Sequence, residues 1–303
     1  MAYYVAVDVG GTNLKYSLLS GDAEFIDHGE MPTPKENGLE DFSGVLKEIY
    51  QKYEDCAEAF VLSAPGKINS ETGYFYSGGA LSFLQDINLV EKMKEYIPLP
   101  FAVENDGKAA ALAELWKGSM HGIQNGMILV LGSGIGGAII IDGKLYRGSS
   151  FAAGEFSVIP MHLDEFPFQI QNIWTLHSGV PMLIKDYAQR IHVDASELNG
   201  KILFEAANNG QIAALDAIDQ YTKGIVSGIL SLQIILDTEK IAIGGGISKQ
   251  PLLLESLRKN MNQYIGQMRA YIPCGDPKIE SCTFGNDANM IGALYHYLFE
   301  IKK

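Results

Sequence analysis

The chain has 303 residues, of which 47% are apolar and 19% are charged, so it is neither disordered nor fibrous and is long enough for two compact lobes. Its formal net charge of −13 disfavours sequence-independent binding to nucleic acid, because an acidic surface repels the phosphate backbone. ATP remains an acceptable ligand, since Mg²⁺ and backbone N–H groups can recognise phosphate.

The N-terminal sequence and the cysteines indicate a cytoplasmic protein. Residues 1–12 lack the basic region and the apolar stretch of a signal peptide, and no apolar run approaches the roughly 20 residues that span a bilayer. Cys56, Cys274 and Cys282 are odd in number and show no CxxC spacing, so we expect no disulfide framework.

The first 118 residues predict a sheet followed by helices. Alternating apolar residues are typical of strands, and apolar residues at helical spacing are typical of helices. In chain order, the expected elements are strands at Tyr3–Val9, 14–19 and 23–30, a helix at 39–53, a strand at 59–62, a helix at 88–96, a strand at 101–103 and a helix at 107–116.

The rest of the chain repeats the opening pattern of strand, glycine turn and strand. Its expected elements are strands at 127–131 and 138–141, a hairpin turn at 142–143, a helix at 215–236, a strand at 240–243 and helices at Pro251–Met268 and 287–299. We interpret the repeat as a duplicated architecture, in which each half presents one phosphate-facing hairpin to a shared cleft.

The glycine-rich loop at 132–137 contains the string GxGxxG. A dinucleotide fingerprint needs a helix directly after the loop, whereas the residues that follow here predict a strand. A protein-kinase loop is excluded because no HRD-type or DFG-type segment follows, and a Walker A loop because Gly66-Lys67 precedes Ile68. Two interpretations remain, a plain tight β-turn or a hairpin whose glycines let backbone N–H groups approach phosphate.

Two aspartates lie where they have either a structural or a chemical role. Asp8 ends a buried strand, where it caps the turn or holds Mg²⁺, directly or through water, while Thr12 donates its hydroxyl to a phosphate. Asp106 follows Asn105 at the start of a helix, where the two form a capping pair or Asp106 accepts a proton from an attacking hydroxyl. A helix N-terminus favours the ionised carboxylate that such a base requires.

Five segments together resemble one family. VAVDVGGTNLKYSLL, ENDGKAAALAE, LVLGSGIGGAIIIDGKLYRG, AAGE and IAIGGGIS occur in the order and spacing of the ROK family (repressor, open reading frame, kinase), and the resemblance covers essentially the whole chain. It implies an α/β fold of two ribonuclease-H-like lobes, of the actin and hexokinase type, around a central cleft for ATP and a sugar. We expect an N-terminal lobe at 1–118, onto which the C-terminal helix at 287–303 packs back, and a C-terminal lobe at 119–286.

The same resemblance implies roles for residues on both sides of that cleft. Asp106 is expected to be the catalytic base in transfer of the ATP γ-phosphoryl group to a sugar hydroxyl, with Mg²⁺ near Asp8. The expected sugar contacts are Asn105, Glu155 and Gly79. The expected nucleotide contacts are Asp8, Gly10, Gly11 and Thr12 in a first phosphate loop, Gly132, Ser133, Gly134 and Gly137 in a second, and Gly244, Gly245 and Gly246 beside the adenosine.

The chain departs from the family pattern on the sugar side. Many members read E-x-G-H and then carry a cysteine-rich zinc segment, whereas here Val158 takes the histidine position and no cysteine lies between Cys56 and Cys274. We therefore predict no zinc, since His162 and His177 alone cannot supply four ligands. Trp174 replaces a second sugar-binding glutamate, and its indole either stacks on a sugar or aglycone or packs in the core.

These departures resemble a zinc-less branch of the family that includes β-glucoside kinases, and we expect phosphorylation of a hexoside, at O6. Glucokinase and N-acetylmannosamine kinase are alternatives within the enzyme class. A sugar-binding regulator or an actin-like assembly protein is the non-enzymatic alternative. A DNA-binding regulator is not expected, because the first strand begins at Tyr3 and the chain is acidic. The expected partners are a small-molecule sugar and, from the resemblance, a second copy in a homodimer, with no nucleic acid and no membrane.

Overall fold

The chain divides into two units in a computed structural model that describes residues 2–161, 169–271 and 275–302. Unit 1 consists of Met1–Gly118, Arg147–Ala153 and Asn286–Lys303. Unit 2 consists of Ser119–Tyr146 and Gly154–Gly285. No described helix is both long and apolar enough to cross a lipid bilayer.

Each strand has two to eight residues. In chain order they are β1 (Tyr3–Val9), β2 (Asn13–Ser20), β3 (Phe25–Pro32), β4 (Ala57–Ala64), β5 (Lys67–Asn69), β6 (Tyr74–Ser77), β7 (Ile87–Asn88), β8 (Phe101–Asn105), β9 (Gly126–Leu131), β10 (Ile135–Ile141), β11 (Lys144–Tyr146), β12 (Lys240–Gly244) and β13 (Lys278–Ser281).

Helices lie between and after the strands of each unit. In chain order they are α1 (Leu39–Lys52), α2 (Leu89–Met93), α3 (Asp106–Lys117), α4 (Trp174–Ser178), α5 (Val180–Ile191), α6 (Gly200–Asn208), α7 (Ile212–Leu236), α8 (Pro251–Met268) and α9 (Ala288–His296), which continues as a π-helical turn over Tyr297–Ile301.

Each unit contains a five-stranded sheet of the same topology. The order is β3-β2-β1-β4-β8 in unit 1 and β11-β10-β9-β12-β13 in unit 2. In both sheets the first three strands in the chain form an antiparallel meander. The fourth strand pairs in parallel with the first, and the fifth pairs in parallel with the fourth. The match in order and direction confirms the duplicated architecture and the α/β fold class that the sequence predicts. Unit 1 adds a small antiparallel sheet, β5-β6-β7.

The alternation of side chains along β1 explains why both faces of the unit 1 sheet are covered. Val5 and Val7 point to one face, where they join a core cluster with Phe42 of α1. Tyr4 points to the other face and joins a cluster with Leu294 of α9. Because successive side chains of a strand point in opposite directions, a strand with apolar residues at every position needs helices on both sides.

Several elements escaped the sequence patterns. Strands β5, β6 and β7 have only two to four residues, which is too few for alternation to be recognised. The predicted helix at 88–96 is shorter, because α2 ends at Met93 and the chain closes into a turn through the N–H groups of Tyr96 and Ile97.

The segment Arg147–Ala153 lies in unit 1, although the sequence analysis assigned it to the C-terminal lobe. The physical reason is the Arg147 guanidinium, which forms ion pairs with Glu104 and Glu300 of unit 1. The segment is therefore joined covalently to unit 2 at both of its ends and anchored in unit 1 by charge.

Helices α3 and α9 approach each other at Gly292, and the contact leaves no room for a side chain. A Cβ at Gly292 would overlap the backbone carbonyl group of Ala109. Gly292→Ala should therefore lower the free energy of unfolding by about 1–3 kcal/mol, as overpacking does elsewhere, and a fall in Tm measures it.

Gly44 provides the matched control, because it also lies in a helix of unit 1 but no described atom outside its own turn approaches within 4 Å of a Cβ there. Gly44→Ala should raise stability by about 0.5–1 kcal/mol, since alanine loses less backbone entropy than glycine. Equal Tm values for the two variants would contradict the close approach of α3 and α9.

Candidate functional site

Three parallel strands of unit 1, β1, β4 and β8, end at one edge of the sheet. Asp8 of β1 pairs in register with Ser63 of β4, and Ser63 pairs with Glu104 of β8. Because neighbouring strands lie about 4.8 Å apart, the backbones of β1 and β8 are about 10 Å apart at this edge. Asp8 and the residue that follows β8, Asp106, therefore lie at the same edge of one sheet, two strands apart.

Asp106 is the first residue of α3, and Asn105 is its N-cap. The Asn105 Oδ1 accepts the Lys108 N–H at 3.1 Å, which is the capping bond. The Asp106 Oδ1 accepts the Gly107 N–H at 2.7 Å and the Asn105 Nδ2–H at 3.0 Å. Only Asn105 caps the helix, and the Asp106 carboxylate is held in one orientation at the positive end of the helix dipole.

Gly66 lies between Gly79 and Asn105 and contacts both. The Asn105 Nδ2 donates to the Gly66 carbonyl oxygen at 2.9 Å. Gly66 and Gly79 both have positive φ angles, 108° and 56°, and a Cβ on Gly79 would lie only 3.1 Å from the Gly66 nitrogen. The structure therefore brings three of the expected sugar-side residues, Asn105, Asp106 and Gly79, into one region of unit 1.

Asp8 is largely buried and has a partner that the sequence analysis missed. The Asn289 Nδ2, in the first turn of α9, donates to the Asp8 Oδ1 at 2.9 Å. Burial raises the pKa of the Asp8 carboxyl, an effect that hydrogen bonds from Asn289 and Ser63 partly offset. The sequence signal for Asn289 is faint, a single amide among the apolar residues of the last helix.

The donor chemistry at Asp8 fits Mg²⁺, which binds oxygen ligands and usually keeps several waters while one or two carboxylates and substrate phosphates complete its shell. The loop after Asp8 is a tight turn, in which the Gly10 N–H donates to the Asn13 carbonyl oxygen at 2.9 Å and the Thr33 Oγ1–H to the Gly10 carbonyl oxygen at 2.7 Å. Thr12 is exposed at its tip and Gly11 is half-buried.

The second glycine loop joins β9 to β10 in unit 2. The Ile135 N–H donates to the Thr175 Oγ1 at 2.9 Å, and a Cβ on Gly134 would overlap that hydroxyl. A Cβ on Gly137 would overlap the ring of Phe156. Packing alone therefore explains these two glycines.

The remaining residues of this loop do not have that explanation. A Cβ at Gly132 would meet no described atom within 4 Å, and Ser133 is exposed. Gly132 thus leaves space for a ligand where a side chain would be, while its N–H donates to the Gly134 carbonyl oxygen at 3.0 Å and its carbonyl oxygen accepts the Val180 N–H at 2.8 Å.

The third glycine run ends β12 beside this loop. Gly244 pairs in register with Val130 of β9, and Gly245, with a φ of 93°, presses against the Leu131 carbonyl group. Gly246 has no described atom within 4 Å of a Cβ and lines a pocket of about 710 Å³. The pocket lies within unit 2 and is lined by polar side chains of α6, Lys201, Glu205 and Asn208, and by Asn209, Gln250 and apolar neighbours.

Trp174 lies in the core of unit 2, so the structure decides between the two interpretations that the sequence left open. Its side chain is 0% exposed, its ring centroid lies 6.4 Å from that of Phe156, and it packs against Gly228 of α7. No face of the indole is available to stack on a sugar, and the expected sugar contact at Trp174 is corrected to a core role. Truncation of such a residue to alanine typically costs about 3–5 kcal/mol.

Glu155 and Val158 lie at the two ends of a short turn in unit 2. Glu155 is exposed and precedes the 3₁₀ turn Phe156–Val158, whose Phe156 is buried against Trp174. Val158 is 55% exposed, and several other large apolar side chains of the described residues are exposed as well. The expected absence of zinc stays a prediction, because His162 and Cys274 lie outside the described residues.

The expected site residues thus form one group in each unit. Unit 1 contains Asp8, Gly10, Gly11, Thr12, Gly79, Asn105 and Asp106. Unit 2 contains Gly132, Ser133, Gly134, Gly137, Glu155, Gly244, Gly245 and Gly246, with Trp174 behind them in the core.

Comparison with known proteins identifies relatives over nearly the whole chain. The model of the ROK family matches residues 4–299. A beta-glucoside kinase of Listeria monocytogenes is 31% identical over 302 residues, with 97% of each chain covered, and a glucokinase of Halalkalibacterium halodurans is 30% identical, with 96% of this chain and 93% of that protein covered. The crystal structure of a ROK family protein from Streptococcus pneumoniae in complex with sucrose has a TM-score of 0.85 and 28% identity, with 98% of both chains covered.

The raised pKa of Asp8 predicts how stability depends on pH. Below the ordinary carboxyl value of 3.8, Asp8 is protonated in the folded and unfolded chain alike and an Asp8→Asn variant gains nothing. As the pH rises through the raised pKa, the folded wild type loses stability relative to the variant, because it must bury a charge. The variant should be more stable at neutral pH by roughly 1 kcal/mol, the size typical of replacing a costly functional-site residue.

Thermal unfolding from pH 4 to 8, without magnesium or nucleotide, measures this difference. Asp55→Asn, at an exposed aspartate of the same unit, is the matched control for the loss of one carboxylate at the surface. A constant difference between Asp8→Asn and wild type across this range would contradict the burial of a costly carboxylate.

Proposed function

We propose that this chain, which belongs to the ROK family, is an ATP-dependent carbohydrate kinase. The proposed reaction transfers the γ-phosphoryl group of ATP to a primary hydroxyl of a hexoside, at O6, and a β-glucoside is the favoured substrate. The observation that carries this proposal is the position of Asp8 and Asp106 at one edge of the unit 1 sheet, two strands apart. Ligands of sheets with parallel strands bind outside the carboxyl ends of those strands.

Asp106 is the catalytic base in this proposal. Its carboxylate accepts the proton of the attacking hydroxyl, while the bonds from Gly107 and Asn105 keep it in the orientation that this transfer requires. Asn105 has both Nδ2 hydrogens in use, so a sugar hydroxyl would donate to its Oδ1. Gly79 brings backbone to the sugar beside it, and Glu155 accepts hydrogen bonds from further hydroxyls.

The nucleotide is bound by the glycine loops. Thr12 at the tip of the first loop and the second loop at Gly132 and Ser133 would contact the phosphates. Mg²⁺, held through Asp8 and the phosphates, would offset the negative charge that develops during transfer. The pocket beside Gly246, at about 710 Å³, is within the usual size range of ligand pockets and would receive the adenosine.

The sugar side supports a β-glucoside. Val158 cannot form the hydrogen bond that a histidine offers at this position. A glycoside, in which an aglycone replaces one sugar hydroxyl, therefore loses no contact here. Its exposed apolar side chain instead offers contact area to an aglycone. The Listeria monocytogenes relative is named a beta-glucoside kinase, and the Streptococcus pneumoniae protein was crystallised with a disaccharide.

The remaining parts of the proposal concern where and how the protein acts. A kinase that uses ATP acts in the cytoplasm, where Cys56, exposed and free, stays reduced. We also propose that the protein forms a homodimer, which rests on the family resemblance. We propose that it holds no zinc, because the histidine and the cysteines of the family's zinc segment are missing. Glucokinase activity is the alternative that the Halalkalibacterium halodurans relative supports.

Asp106→Asn tests the catalytic base. The amide keeps the size and the helix position but cannot take the proton, so kcat should fall by about 10²–10⁴-fold while KM for sugar and ATP changes little. A coupled ADP-release assay with cellobiose, glucose, N-acetylmannosamine, mannose and fructose measures it. Asp41→Asn, in the first turn of α1, is the control and should keep wild-type kcat.

Near-wild-type turnover in Asp106→Asn would remove the assigned base. If the wild-type protein phosphorylates none of these sugars, the non-enzymatic alternative, a sugar-binding regulator, replaces the kinase.

Val158→His tests the origin of sugar preference. A histidine restores a polar contact to a free sugar and takes up space that an aglycone would use. The ratio of kcat/KM for glucose to that for cellobiose should rise by about 10-fold, the equivalent of one good hydrogen bond. Val193→His, at another exposed valine of unit 2, should leave the ratio unchanged. If the ratio is also unchanged in Val158→His, position 158 does not set the sugar preference. Glucokinase activity or another origin of specificity is then favoured.

A further inference from the structure

A buried charged side chain lies directly behind the pair Asn105-Asp106. Glu104, the residue before this pair, has a relative exposure of 0%. Its Oε1 accepts the backbone N–H of Asn105 at 2.8 Å. The carboxylate thus holds the peptide that leads into the proposed base.

Arg147 holds this carboxylate from the other side. Its Nε and Nη2 donate to the Glu104 Oε2 at 3.1 Å and 2.5 Å, which is a fork of two hydrogen bonds onto one oxygen. Its Nη1 and Nη2 also donate to the two carboxylate oxygens of Glu300, at 3.3 Å and 2.6 Å. Arg147 therefore ties the end of β8 to the π-helical turn at the C-terminal end of α9.

His296 completes the network. Its Nδ1 lies 2.6 Å from the Glu300 Oε2, and its Nε2 lies 3.1 Å from the Ser70 carbonyl oxygen. Both partners are hydrogen-bond acceptors, and each ring nitrogen lies within donating distance of one of them. Burial opposes the charge of Glu300, but hydrogen bonds from His296 and Arg147 lower the pKa of its carboxyl.

The four side chains form a closed set of two carboxylates, one guanidinium and one imidazole. Glu104, His296 and Glu300 have the spacing of a metal site, but the Arg147 guanidinium already occupies the space between the two carboxylates. The network is also a poor source of stability, because well-packed apolar residues usually replace a buried ion pair without loss. Its position beside Asn105 therefore requires another explanation.

We propose that Arg147 is a positioning residue for Asp106, acting through Glu104. The guanidinium fork fixes the Glu104 carboxylate, the carboxylate fixes the Asn105 N–H, and Asn105 in turn fixes the Asp106 carboxylate through its Nδ2. The proposal rests on the proposed kinase function, since Asp106 is a base only in that reaction. The proposal also gives the segment Arg147–Ala153 a role, because this segment carries Arg147 into unit 1.

The test must separate positioning from stability, because removing one member of a buried pair leaves an unpaired charge. Arg147→Lys keeps the charge but loses the planar fork. The double variant Glu104→Gln/Arg147→Met removes one negative and one positive charge together, and the contact between Glu300 and His296 remains. Both variants are expected to fold, with Tm within a few degrees of the wild type.

The expected result is a split between turnover and binding. For Arg147→Lys, kcat should fall by about 10-fold, and for the double variant by about 100-fold, the loss typical of a misplacement of about 1 Å. KM for sugar and ATP should stay within about twofold, because the binding loops are unchanged. An exposed ion pair of the same unit, Lys52 and Asp27, provides the control, and Lys52→Met/Asp27→Asn should keep wild-type kcat.

Hydrogen exchange of the Asn105 amide gives a readout that does not need activity. This amide should exchange slowly in the wild type and at least 10-fold faster in the double variant. If both Arg147 variants fold and keep wild-type kcat and slow exchange, the network is structural only and the proposal is wrong. If the wild type phosphorylates no sugar, the proposed function fails instead, and the exchange of Asn105 alone decides whether Arg147 fixes this peptide.

Discussion

The parallel pairing of β1, β4 and β8 is the constraint on which the rest of unit 1 depends. It brings the ends of three strands that are far apart in sequence to one edge of a sheet, in a register that aligns Asp8, Ser63 and Glu104. The residues just beyond this register, Asn105 and Asp106, then begin a helix whose positive end faces the same edge. Side chains on rigid strand ends are held more precisely than side chains on mobile loops.

This arrangement has a cost that falls on charged groups. Asp8 is buried at a position where ionisation is unfavourable without a cation, and Glu104 is buried completely. The two carboxylates are treated differently. Glu104 pairs within the protein with the Arg147 guanidinium, whereas the hydrogen bond that Asp8 accepts at 2.9 Å comes from a neutral donor, the Asn289 amide, and Lys15 acts on Asp8 through its charge. A carboxylate in this setting is suited to a metal that arrives with its substrate.

The sequence predicted the repeated sheet well, since long apolar strands and glycine turns carry strong local signals. It also placed Asn105, Asp106 and the loop glycines, through their order and spacing. It could not distinguish glycines that exist for packing, such as Gly134 and Gly137, from Gly132, where a Cβ would meet no described atom. That difference depends on Thr175 and Phe156, which follow later in the chain. It left Trp174 undecided for the same reason, since burial by Gly228 is a tertiary property.

The assembly of unit 1 from three separate stretches of chain has a consequence for synthesis on the ribosome. Arg147 emerges long after Glu104, and His296 and Glu300 emerge only at the end, after all of unit 2. Until then Glu104 and Arg147 lack their contacts with His296 and Glu300, and the sheet face that α9 covers remains open. The unit that begins the chain is therefore the last to be completed, and nascent chains that lack the final helix are the form most in need of protection by chaperones.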